Sequence, residues 1–220
     1  MAVFHRTLPT LAAASLACLL LGGCHVTTNE NGDKKNVDIG TPFGSMKVNT
    51  SNSTDTTEIG LSAYPGATPV KDKNDNDGNN ANVNLSFGGF HLGVRAADFQ
   101  TPDPQSKVIA FYRADLAKRY GDLIACKGHT AVGTPARTRD GLTCEDSNKN
   151  HIRTRDDNGK KGFSISTGDD NSGESLELRS GSPQHQHIVA VEDHDGGTKI
   201  GLVALDLPSH LSGHDKDNAE

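Results

Sequence analysis

One stretch of this chain has the period of a long amphipathic helix, and the segments around it alternate. In DPQSKVIAFYRADLAKRYG, residues 103–121, Val108, Ile109, Phe111, Tyr112, Leu116 and Tyr120 recur at three- and four-residue spacings and form one apolar stripe. Asp103 is placed to cap the helix, Pro104 suits its first turn, and Gly121 is a natural stop. Asp115 and Arg119 make an i,i+4 pair on the solvent side. The helix expected is about 104–120. The flanking segments read as strands: Asn82–Phe87 with Phe90–Phe99, then Leu123–Cys126, Gly141–Glu145, Gly162–Ser166, Ser175–Arg179, His187–Glu192 and Lys199–Leu207. Turn chemistry in GDDNSGE, GSPQ and DHDGG connects them. One helix among many short strands predicts an α+β fold, an antiparallel sheet with the helix packed on one face. There is no solenoid-type repeat.

The chain begins differently. Residues 1–23 carry Arg6 and no acidic residue, and Leu11 to Leu21 is apolar. As a helix those eleven residues rise roughly 17 Å against about 30 Å of hydrocarbon, too short to span a membrane. A positive start, a short apolar centre and small residues at the end describe an export signal. Its end, Leu21-Gly22-Gly23-Cys24, resembles the lipobox of bacterial lipoproteins. The resemblance implies cleavage before Cys24, with diacylglycerol and an N-acyl chain such as palmitate on the new N-terminal cysteine. It also implies a cell-envelope location in contact with the membrane through lipid, facing periplasm or surface. His25, where an Asp would retain the protein at the inner membrane, favours the outer membrane by the family's sorting rule. Two or more acyl chains anchor stably where one does so marginally.

Without residues 1–23 the net charge is −7. An acidic chain gives no electrostatic case for nucleic acid, which is bound through clustered Lys and Arg. Apolar residues are 33% of the chain and glycines number 24, so the core is expected to be modest. Of four cysteines, Cys18 leaves with the signal and Cys24 takes lipid. Cys126 and Cys144 then meet an oxidising compartment and are expected to pair. The closed loop of about 19 residues is worth roughly 3 kcal/mol in the chain-entropy account.

The organisation expected is a signal over 1–23, a polar tether over 24–36, a short hairpin and linker over 37–58, an α+β domain over 59–208 and a disordered tail over 209–220. A flexible tether such as HVTTNENGDKKN spans roughly 20 Å. In the hairpin, Val37 and Ile39, then Met46 and Val48, alternate with polar residues on either side of Pro42 and Gly44. Tyr64-Pro65-Gly66-Ala67, followed by TPDPQSKVIAFYRADL, is similar to a pattern in uncharacterised secreted bacterial proteins. That likeness implies export and no activity.

Candidate chemistry is sparse. The loop KDKNDNDGNN resembles an EF-hand with Gly78 at the sixth position and Asp75 and Asp77 at the third and fifth. Lys73 then occupies the first position and Asn84 the twelfth, where carboxylates belong. His185 and His187 share a face if they lie on a strand, and His194 follows just past it, so three imidazoles are available to zinc or copper. No fourth ligand follows from spacing, and no cofactor is implied. Arg137/Arg139 and Arg153/Arg155 are i,i+2 pairs able to face an anionic polymer. There is no GxSxG, SxxK, HExxH or P-loop. Asp156-Asp157 and Asp169-Asp170 sit in turn sequence. The function expected is a lipid-anchored, non-catalytic binding or structural module with an envelope protein or polymer as partner. A histidine metal site and an envelope hydrolase are the alternatives.

Overall fold

The structure, a computed structural model, describes residues 24–31, 34–51, 55–70, 80–145, 175–194 and 196–208. Among these residues, eleven strands form one sheet. They are β1 (His25–Asn31), β2 (Lys34–Thr41), β3 (Gly44–Ser51), β4 (Thr68–Pro69), β5 (Asn80–Phe87) and β6 (Phe90–Thr101), followed by β7 (Ile124–Lys127), β8 (Thr130–Ala131), β9 (Leu176–Gly181), β10 (His185–His194) and β11 (Gly197–Asp206). The order across the sheet is β1-β2-β3-β5-β6-β11-β10-β9-β7-β8, with β4 also on β6, and all pairings are antiparallel. Helix α1 covers Gln105–Tyr120, and a 3-10 turn covers Thr57–Ile59. The fold is α+β and strand-dominated.

Register explains where the core forms. Ala125, Leu178, Val189, Leu202 and Ala97 are successive partners across β7, β9, β10, β11 and β6. One step along the strands, Leu176, Val191, Ile200 and Phe99 repeat the pattern. Side chains alternate along a strand, so positions two apart share a face. Apart from Leu176, which packs half-buried against it, these two rows belong to one buried cluster with Ile59, Leu61, Tyr64 and the α1 residues Val108, Tyr112 and Leu116. The four-residue spacing of the helix residues is what lines them up. Each large apolar side chain buried this way contributes about 1.5–3 kcal/mol. Tyr64 meets Phe111 edge-on at 5.2 Å between ring centroids. A second cluster, Val83, Leu92, Val94 and Leu207, occupies alternate positions and so the opposite face.

Several expectations need correction. Within the tether expected over 24–36, residues 25–31 and 34–36 are strand: β1 and β2 are paired from His25↔Gly40 to Asn31↔Lys34. Ladder hydrogen bonds need only backbone, and β-branched Val26, Thr27 and Thr28 suit it. The 37–58 hairpin exists as β2 and β3, but β3 pairs with β5. It therefore shares a sheet with the elements after residue 59. Gly141–Glu145 is not a strand. Its one bridge is Arg137↔Thr143, and the chain turns at 138–141, where Gly141 N–H donates to the Thr138 carbonyl and Leu142 N–H to Thr138 Oγ1. Asp103 does not cap α1. Its carboxylate accepts from the Tyr64 hydroxyl at 2.7 Å and from Lys107, leaving Pro104 at the cap. Asp115 and Arg119 do pair, at 2.9 Å, but Asp115 is largely buried and also accepts from Ser62 N–H and Oγ. The strand expected at Gly162–Ser166 lies outside the described residues, as do the 1–23 signal and the 209–220 tail.

Tyr112 is fully buried, and among the described residues its hydroxyl has no hydrogen-bond partner of ordinary geometry. Desolvation drives the phenol strongly upward, Asp115 adds to this, and the Tyr64 backbone pulls less strongly the other way. An unpaired buried hydroxyl costs about 1–3 kcal/mol. Tyr112→Phe is therefore expected to keep or raise stability in urea unfolding, whereas Leu116→Ala should cost about 2–5 kcal/mol. Equal losses in the two variants would contradict this view of the core.

Candidate functional site

The rows that form the core change character one step further along the strands. On the same face as Val189 lies His187, whose partners across the sheet are Ala204, Arg95 and Asn82 in turn. Beyond that row, His185 partners Asp206, then Gly93, then Asn84. An apolar face thus becomes polar beside Tyr120, the last helical residue, and Ile59 of the 3-10 turn, both of which contact His187.

His187 is held on two sides. Its ring stacks on Tyr120 with centroids 3.9 Å apart and planes 15° from parallel. Its Nδ1 lies 3.1 Å from the Ile59 carbonyl. A carbonyl accepts only, so Nδ1 carries the proton and Nε2 is the basic nitrogen. Tyr120 donates its hydroxyl to the Gly60 carbonyl at 2.7 Å. Gly60 has φ 76°, and a Cβ there would lie 2.6 Å from that hydroxyl, so only glycine fits beneath the stack.

Asp206 is the centre of the outer row. His185 Nδ1 lies 2.9 Å from one carboxylate oxygen, and Arg95 Nη2 donates to the other at 2.9 Å. Burial alone would push the Asp206 carboxyl up, but the His185 hydrogen bond and Arg95 hold it below the usual carboxylate range. Asn84 donates to Asn82 Oδ1 at 2.6 Å, and Asn82 donates to Glu58. The result is a polar surface on adjoining rows with two carboxylates, a guanidinium and two imidazoles. The Asp206–His185 contact has the form of the orienting half of a catalytic pair. Among the described residues no hydroxyl or thiol is hydrogen-bonded to the other nitrogen of that ring.

Of the three candidate metal ligands, His185 and His187 do share a face, and His194 does not join them. Strand β10 runs on to His194 rather than ending before it. His194 lies seven positions beyond His187, on the opposite face and roughly 23 Å along the strand. Among the described residues there is no group of three or more His, Cys, Asp or Glu placed to hold a metal ion. Arg137 and Arg139 are exposed on either side of the buried Thr138, Arg139 N–H donating to Asp122. The EF-like loop, apart from Asn80, lies outside the described residues, as do Arg153/Arg155 and both Asp pairs. Asn84, the twelfth position of that loop, sits within β5.

Cys126 and Cys144 form a disulfide, with Cα atoms 5.6 Å apart. It packs with Ile124 and Leu142 on the far face of β7. Beneath it lies an ion pair the sequence reading missed: Glu177 and Arg179, 4% and 1% exposed, bond each other, and Arg179 Nη1 donates to the Cys144 carbonyl at 3.3 Å. Burial pushes Glu177 up and Arg179 draws it back. The available signal was the Glu-x-Arg spacing in LELRS, two opposite charges on one face of an apolar strand. Arg95, Asp206 and Tyr120 carried no local signal, because their partners are distant in sequence. No protein-family model, curated protein or solved structure matches the chain.

Burial pushes the His187 pKa below its ordinary 6.5, reinforced by Arg95 and Arg119 and opposed by the Ile59 carbonyl and Asp206. Between the lowered value and 6.5 the unfolded chain binds a proton that the folded chain refuses. This contribution is complete above 6.5 and is lost as pH falls below it. Asp115 and Asp206, both depressed, weaken the fold only at lower pH, in the carboxylate range. The melting temperature should fall between about pH 7.5 and about pH 5, and His187→Gln should flatten that fall. An unchanged slope in the variant would contradict the assignment.

Proposed function

We propose that this chain is exported, cut before Cys24, acylated there, and serves as a lipid-anchored envelope protein whose domain binds or scaffolds rather than catalyses. The observation that carries the reading is Leu21-Gly22-Gly23-Cys24 behind a short apolar stretch. Cys24 is exposed and unpaired, which suits it to modification. The disulfide suits an oxidising compartment. His25 after the cysteine favours the outer membrane. The reading takes α1 to be packed on one face of the sheet, supported by the cluster its residues share with β9, β10 and β11. The surface around Asp206, with fixed donors and acceptors on rigid strands, suits recognition of a polar partner, an envelope protein or polymer.

The test is Cys24→Ala in the full-length chain. The reading predicts accumulation of uncleaved protein and no acyl mass on the N-terminal peptide, where the parent carries diacylglycerol and an N-acyl chain. Normal processing and membrane attachment of the variant would refute it.

A further inference from the structure

The register places three features at one end of the sheet. Cys24 immediately precedes β1, whose first residue, His25, pairs with Gly40 near the end of β2. The β2–β3 turn, Thr41-Pro42-Phe43-Gly44, follows at that end. Gly44 then pairs with Phe87, and the β5–β6 turn, Phe87-Gly88-Gly89-Phe90, lies there too. Neighbouring strands are about 4.8 Å apart, so β5 lies only about 14 Å from β1. The two turns are joined: Gly88 N–H donates to the Phe43 carbonyl at 3.4 Å. Gly44 permits the junction, because a Cβ there would lie 2.3 Å from the Ser86 carbonyl oxygen.

Both turns expose large apolar groups to solvent, Phe43 at 74% and Phe87 at 59%. Beside them Val26, 63% exposed, starts a cross-strand row through Ile39, Met46 and Leu85. Residues 39–46 and 78–94 contain no Asp, Glu, Lys or Arg, in a chain that is 23% charged. Exposed aromatics on uncharged turns have a bland explanation only when scattered. Here they are gathered beside Cys24.

We propose that this end of the sheet is a membrane-contact surface. With Cys24 acylated, Phe43 and Phe87 enter the interfacial layer of the bilayer, and the sheet stands on the membrane with its Cys24 end down. The proposal rests on acylation of Cys24, which puts a bilayer within reach of both turns. Aromatic side chains at such a depth anchor and orient what carries them.

The chain has no tryptophan, so one introduced residue is a unique reporter. Phe43→Trp, Phe87→Trp and, as control, Val132→Trp next to β8 at the opposite edge of the sheet, are made in the full-length chain. Each processed protein is reconstituted in vesicles of phosphatidylethanolamine and phosphatidylglycerol with and without brominated lipid. Expected are a blue shift and bromine quenching for Phe43→Trp and Phe87→Trp, and neither for Val132→Trp. Water-like, unquenched emission from both turns in protein whose N-terminal peptide carries acyl mass overturns the membrane contact and leaves the lipid-anchor reading standing. An N-terminal peptide without acyl mass overturns both. A concentration-dependent blue shift without bromine quenching overturns the proposal in favour of contact between copies of the chain.

Discussion

The antiparallel register of β6, β11 and β10 is the constraint from which the other features follow. Leu202 faces Val189 on one side and Ala97 on the other, and each step along the strands carries the whole row with it. A slip of one residue between two of these strands would turn every apolar side chain of the moved strand out of the buried cluster. The same slip would separate His185 from Asp206 and Asp206 from Arg95. Core and polar surface are consecutive rows of one ladder, so neither is positioned independently of the other.

What was legible in the sequence was what periodicity encodes. The stripe from Val108 to Tyr120 gave α1, and the alternation around Val83, Leu85 and Phe87 gave β5 and β6, because local pattern and final environment agree there. Strand β1 was illegible: HVTTNEN has no buried face to reveal, only a backbone that pairs with β2. Asp103 was misread because local spacing offered it a cap, while Tyr64, distant in sequence, supplied a competing donor. The shared face of His185 and His187 follows from parity. The partners that define their chemistry, Asp206, Tyr120 and the Ile59 carbonyl, come from elements the sequence does not order in space.

The two faces divide the work. On one, an apolar cluster gives way to hydrogen-bonding groups, among them His187 and Asp206, whose ionisation burial and neighbouring charges shift. On the other, the disulfide and the buried Glu177–Arg179 pair fasten the 131–145 segment to β7 and β9. Removing either partner of such a pair leaves an uncompensated charge, which is how a weakly stabilising pair becomes expensive to break. Around Cys24, pairing of β1 replaces a flexible tether with a direct entry into the sheet.

That last point rests on residues 25–31 and 34–41 being ordered strand. The most direct measurement is amide hydrogen exchange on the protein, comparing β2 with β6. Strand β2 lies between β1 and β3, so its backbone is bonded on both sides. Protection across 35–40 approaching that of 92–99 is the predicted result. Exchange at the rate of an unstructured chain across 25–41 would contradict the account and restore a free tether ahead of the domain.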